Sequence, residues 1–240
     1  MTGGFPAGRS ENLAYVTLER PLTKELFHTV VRVGCESAKG KTNALDIFDM
    51  IWLKFQTRNI VRADTPEAPP MGYYRDESGN IEIFTVEDLL KNNDGRCGAW
   101  SNLLRVCLRE QGIIDGRCVE LKIKAPANIK SGMCIKNQDT SRGCSAVPIP
   151  LFGIAGQGTE NPKEKNFQNH SIFFIDEKIY DPSYGTGPFS DIKEWQRTSL
   201  SAVGYIEYLN NMVIGRYFDI NRGGNWFNRD FIINIREDLD

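Results

Sequence analysis

Residues 95–113 read GRCGAWSNLLRVCLREQGI, and residues 169–185 read NHSIFFIDEKIYDPSYG. In the first stretch a turn rich in Asn, Asp and Gly leads into a helix that starts at about Arg96 and runs to Gln111. Trp100, Leu103, Leu104, Cys107 and Leu108 recur at helical spacing and make one apolar stripe. Gly112 follows as a C-terminal stop. The second stretch holds two strands, 170–175 and 178–181, with only Asp176 and Glu177 between them, which suits a tight hairpin. DPSYGTGP then supplies turn chemistry. A helix with Cys97 at its start would therefore pack on an antiparallel sheet that carries His170 and Asp181.

Working outward, residues 43–58 show a second stripe: Ala44, Ile47, Phe48, Ile51, Trp52 and Phe55 fall on one helical face. In TVEDLL (85–90), Thr85 is placed to cap a short helix with acids in its first turn. Residues 117–124 alternate as a strand, and LFHTVVRV (26–33) reads as another, with His28 on it. Residues 63–80 read as a surface loop and 125–168 as a long polar loop insertion. Residues 199–218 carry a mixed helical pattern, and WFNRDFIINI (226–235) reads as a final strand. Residues 1–12 are Gly-rich and polar and read as frayed. Helices first and strands later indicate an α+β fold, with residues 1–240 as a single domain.

Composition narrows the function classes. The 240 residues are 40% hydrophobic and carry a formal net charge of −2. The pI of 5.8 lacks the basic excess expected of a nucleic-acid binder. No apolar run is long enough for a membrane span, and MTGGFPAGRS lacks a secretory leader pattern. The expectation is a cytoplasmic protein or a delivered effector. Six cysteines occur without a CxxC pair, and only two histidines, so no metal site and no cofactor are expected. No EF-hand run of acids suggests calcium. Cys107 reads as a core residue, and Cys134 and Cys144 bracket a polar loop across which they can pair in an oxidising compartment.

The chemistry centres on Cys97. A thiol is a strong nucleophile only as thiolate, and the free N–H groups and dipole of a helix's first turn favour negative charge. Gly95 and Gly98 flank it and would let an acyl group approach the backbone, and Arg96 adds a positive charge. Many cysteines are merely small core residues; the glycine frame and the helix start separate Cys97 from those. A cysteine nucleophile needs a base, and the base an orienting group. Of the two histidines, His28 reads as structural. His170 opens a strand, and Asp181 closes the next one, close enough to hold the imidazole tautomer. Asn92 or Asn93 is a candidate second oxyanion donor beside the Cys97 N–H. Trp100 reads first as core and second as a shield for an acyl-enzyme. Tyr73, Tyr74 and, more so, Tyr184 are groove candidates.

GRCGAWSNLLRVCLREQGI, NHSIFFIDEKIYDPSYG and, more loosely, VEDLL (86–90) resemble the transglutaminase-like superfamily within the papain-like cysteine group. The resemblance covers roughly residues 80–185. It implies a papain-like or transglutaminase-like core with Cys97 as nucleophile, His170 as general base and acid, and Asp181 as orienter. It further implies acyl transfer from carboxamides of proteins or peptides through a thioester intermediate, as in a transglutaminase or glutamine deamidase. A Trp that often follows the family's His is replaced here by Ser171, Ile172 and Phe173. A cysteine peptidase of the same fold would use the same trio, and an inactive binding module would make no use of it.

Overall fold

A computed structural model of the chain describes residues 14–22, 27–75, 85–123, 130–135, 155–160, 169–209, 212–219 and 232–237. Fifteen elements occur among them: α1 (His28–Val31), α2 (Ala44–Thr57), β1 (Gly72–Tyr73), α3 (Val86–Asn92), β2 (Asp94–Gly95), α4 (Cys97–Glu110), β3 (Arg117–Ile123), β4 (Lys130–Ile135), β5 (Asn169–Ile175), β6 (Lys178–Asp181), β7 (Thr186–Phe189), α5 (Ile192–Ser199), β8 (Leu200–Leu209), β9 (Met212–Asp219) and β10 (Ile232–Glu237). A π-helical stretch, Arg32–Glu36, continues α1. The class is α+β.

Helix α4 is central. Its stripe of Trp100, Leu103, Leu104, Cys107 and Leu108 is buried, as the spacing predicts. It packs against β5 and β3 on one side and against α1, α2 and α3 on others. Gly112 ends it at φ +78°, and the Ile113 N–H closes onto the Leu108 carbonyl at 3.0 Å. Helix α2 buries Ile47, Phe48, Ile51, Trp52 and Phe55, while Ala44 is exposed. Asn43 caps it by accepting the Asp46 N–H at 2.9 Å. Thr85 caps α3 in the same way, accepting from Asp88 N at 3.1 Å.

A five-stranded antiparallel sheet runs in the order β10-β3-β5-β6-β7. The β5–β6 turn is Asp176–Glu177, both left-handed at φ 49° and 59°, as a type I′ hairpin requires. That turn pairs Phe173 with Tyr180. One step further Asp181 comes opposite Ile172, so His170 and Asp181 share a face as diagonal neighbours. A second antiparallel sheet has the order β4-β8-β9.

Several expectations need correction. Residues 28–36 are helical, not a strand. Thr29, Val30, Val33 and Cys35 are buried there, and Gly34 lies so close to α4 that a Cβ would stand 2.9 Å from the Cys107 carbonyl oxygen. Packing on α4 thus overrides the β preference of a Val-rich run. His28 is exposed on α1. Residues 199–218 are mostly the β8–β9 hairpin, whereas the helix of that region, α5, precedes it. The loop expected over 63–80 contains β1, with Met71, Gly72 and Tyr73 buried. The insertion 125–168 contributes β4. Residues 1–12, and Cys144 with its pairing to Cys134, lie outside the described residues. So do residues 226–231 of the expected last strand, of which β10 is described. Among the described residues no helix is long and apolar enough to cross a membrane.

Candidate active site

Three elements meet at Cys97. Arg96 is the extended residue before α4 (φ −97°, ψ 174°), its carbonyl accepting the Trp100 N–H at 3.2 Å. Cys97 is therefore the first helical residue, where backbone N–H groups have no acceptor within the helix. The residue is 6% exposed. Strand β5 carries His170, and β6 ends at Asp181; both side chains are fully buried. The His170 Nε2 stands 2.9 Å from Asp181 Oδ2. The Cys97 thiol acts on the same imidazole, and with Nε2 held by Asp181, Nδ1 is the nitrogen that remains to face it. The structure thus brings Cys97, His170 and Asp181 together and leaves His28 outside on α1.

Burial on its own disfavours a charged imidazole, as it does for any base taken out of water. The charge of Asp181, its hydrogen bond and the contact with Cys97 outweigh that and push His170 up to about 10. The raised value favours the imidazolium over the neutral ring. It can hold a thiolate as its partner and later release a proton to a leaving group.

A tryptophan that the sequence pattern did not single out completes the cluster. Trp195 of α5 is fully buried, stacks on the His170 ring at 5.6 Å with planes 15° apart, and donates its indole N–H to Asp181 Oδ2 at 3.1 Å. It fixes the carboxylate from one side and covers the imidazole from the other. The signal for α5 was present: Asp191 followed three residues later by Glu194 is a capping pattern. In the structure Glu194 N donates to Asp191 Oδ1 at 2.7 Å.

Tyr73 and Tyr184 are buried rather than groove-lining. Their rings meet edge-on at 5.1 Å, and Tyr184 lies 5.9 Å from His170. Burial, then neighbouring charge, holds both phenols well above their ordinary range. Trp100 is a core residue whose indole donates to the Gly72 carbonyl at 3.2 Å.

The side chains proposed to shape the entry to Cys97 behave differently from expectation. Asn92 Nδ2 donates to the Asp88 carbonyl at 2.8 Å and Asn93 Nδ2 to the Pro69 carbonyl at 3.3 Å, so both amides serve the end of α3. Gly95 gives no open approach: a Cβ there would stand 2.8 Å from Leu89 Cδ1 and 3.3 Å from Ala99 Cβ. The glycine is needed for packing α3 on α4. Arg96 is buried, stacks 3.9 Å over the Tyr74 ring, and keeps Nη1 3.9 Å from Asp94 Oδ2. Cys35, Cys107 and Cys118 are buried free thiols. Burial, with Glu110 adding to it, holds the Cys107 thiol far above the normal range. That thiol is unsuited to nucleophilic work.

One further residue organises the site from the long insertion. Gln157 is fully buried; its Nε2 donates to the carbonyls of Phe55 (2.8 Å) and Pro182 (2.7 Å). Its backbone accepts Tyr73 N at 2.8 Å and donates to the Ser183 carbonyl at 2.9 Å. It ties the end of α2, β1 and the turn after Asp181 into one unit. Among the described residues no group of three or more His, Cys, Asp or Glu is arranged to hold a metal ion.

Compared with known proteins, the chain matches no protein-family model, no curated protein and no solved structure.

Proposed function

We propose that this protein is a cysteine-nucleophile acyl-transfer enzyme with a papain-like or transglutaminase-like core, acting on carboxamides of proteins or peptides. One observation carries the reading: a thiol at the first residue of a helix beside a buried histidine whose other nitrogen is held by a buried aspartate at 2.9 Å. Nucleophile, base and orienter in that order are what covalent catalysis by a thiol requires.

The reaction follows from the groups. Cys97 Sγ attacks the carbonyl carbon, the C=O pair moves to oxygen, and the free N–H groups at the start of α4 stabilise the oxyanion. As the C–N bond breaks, His170 delivers its proton to the leaving ammonia. Asp181 keeps the ring oriented throughout. The Cys97 thioester is then resolved by a lysine amine, giving a cross-link, or by water, giving deamidation. Cleavage of a peptide bond by the same steps is the second reading, since peptide and side-chain amides present the same carbonyl chemistry to the same trio.

Amine incorporation tests this. Purified protein is given a glutamine-rich acceptor protein and a fluorescent primary amine, with Cys97→Ala as control. Labelling that vanishes in Cys97→Ala is the expected result. Cys97-dependent ammonia release or chain cleavage without labelling would favour the deamidase or peptidase reading. A Cys97→Ala chain that behaves as the wild type in all three assays would sink the proposal.

A further inference from the structure

The oxyanion needs a second donor, and both asparagines that the sequence offers are engaged at the end of α3. The donor must sit beside Cys97, be rigid, and keep its proton. Tyr73 meets all three conditions by position. Strand β1 pairs in parallel with β2 so that Tyr73 lies opposite Gly95, two residues before the nucleophile. The adjoining Tyr74 N–H donates to the Gly95 carbonyl at 3.3 Å, and Tyr73 N is fastened to Gln157 O at 2.8 Å. The side chain is fully buried, and its ring is wedged edge-on against Tyr184, itself next to the His170 ring.

We infer that Tyr73 is a catalytic residue of this site, its phenol O–H donating to the oxyanion formed when Cys97 attacks a carbonyl. The inference rests on the acyl-transfer reading and adds a residue to it. In the step, the Sγ–C bond forms and the C=O pair becomes an oxyanion that accepts from Cys97 N–H and Tyr73 O–H, with no proton passing from the phenol. The C=O re-forms as the bond to the leaving group breaks, and an amine leaving group takes its proton from His170.

Two further observations fit. Burial, followed by Tyr184 and Cys97, raises the Tyr73 pKa well above the usual phenol range, so the group stays a donor at working pH. Tyr184 feels Asp181 ahead of Cys97, whereas Tyr73 feels Cys97 ahead of Asp181.

Two reactions of Cys97 separate this role from packing. Acylation by p-nitrophenyl acetate passes through an oxyanion; alkylation by iodoacetamide occurs at a saturated carbon and makes none. Both rates are measured on wild type and Tyr73→Phe, per titratable Cys97 thiol and after subtraction of the Cys97→Ala rate. Tyr73→Phe is expected to slow acylation on the order of 10²-fold while alkylation changes by less than about twofold. A second variant, with 3-fluorotyrosine in place of Tyr73, keeps the ring and its packing and strengthens the donor; its ratio of acylation to alkylation is expected to rise. Equal loss of both reactions in Tyr73→Phe, or an unchanged ratio in the variants, overturns the inference and leaves the nucleophile reading standing. A wild type without any Cys97-dependent burst of nitrophenolate overturns the acyl-transfer reading, and this inference with it.

Discussion

At the scale of single residues, the opposing influences on His170 give a pH signature. Its folded-state pKa, pushed up to about 10 by Asp181 and Cys97 against the effect of burial, lies above the ordinary value of 6.5. A raised base binds its proton more tightly in the folded state. Its contribution to stability is therefore complete below pH 6.5 and is lost as pH rises toward 10. Urea midpoints taken across that range should fall for the wild type. In Asp181→Asn the main cause of the raised value is gone, and the fall should disappear. Trp195 offers a second test at this scale. Trp195→Phe keeps an aromatic ring near His170 but removes the donor to Asp181 Oδ2. A hydrogen bond to a charged group contributes roughly 1.5–3 kcal/mol, so denaturation should show a loss of that order. The alkaline limb of the same stability profile should shift, which loss of packing alone would not cause.

At the scale of elements, the approach of α3 to the start of α4 depends on Gly95. A Cβ at that position would enter the space of Leu89 and Ala99. Overpacking of this kind costs about 1–3 kcal/mol, and here the strain is one residue removed from Arg96 and two from Cys97. Gly95→Ala is expected to lower the urea midpoint and slow alkylation of Cys97 together. Thr85→Ala is the contrast: it removes the α3 cap and should cost about 1 kcal/mol while leaving Cys97 alkylation unchanged. If both variants altered the thiol equally, the placement of Cys97 would depend on α3 as a whole and not on the Gly95 contact. The β5–β6 hairpin acts at the same scale. Its two-residue turn sets the register, and the register sets which residues share a face with His170.

At the scale of the whole molecule, the trio comes from parts of the chain far apart, and Gln157 links the segments around it. Gln157→Leu would leave the Pro182 carbonyl without its donor and the Phe55 carbonyl with the Arg58 N–H alone. An unsatisfied buried polar group costs roughly 1–3 kcal/mol, so a loss of that order is expected in a denaturant titration. Thiol alkylation should slow as well, because Tyr73 and the turn after Asp181 are tied through the same residue. Stability lost without any change at Cys97 would show that the clamp is only structural.

The two amphipathic helices, the hairpin and the neighbouring positions of His170 and Asp181 were legible in the chain. Each depends on periodicity, caps or turn chemistry within about 20 residues, where local preference and final burial agree. Other features were not. LFHTVVRV has a strand's composition, yet it is helical from His28 because α4 receives its buried side. The apolar residues of 200–219 fit helical spacing as readily as alternation, and cross-strand pairing resolved them as β8 and β9. Gln157 and Trp195 are ordinary polar or aromatic residues in sequence, and Tyr73 reads there only as a groove candidate. They become parts of the site only through contacts with residues 14 to more than 80 positions away. Local chemistry along the chain was enough to mark a thiol, a base and an acid. The groups that hold, cover and complete them were selected by long-range packing, because a hydrogen bond between distant segments leaves no periodic trace in either one.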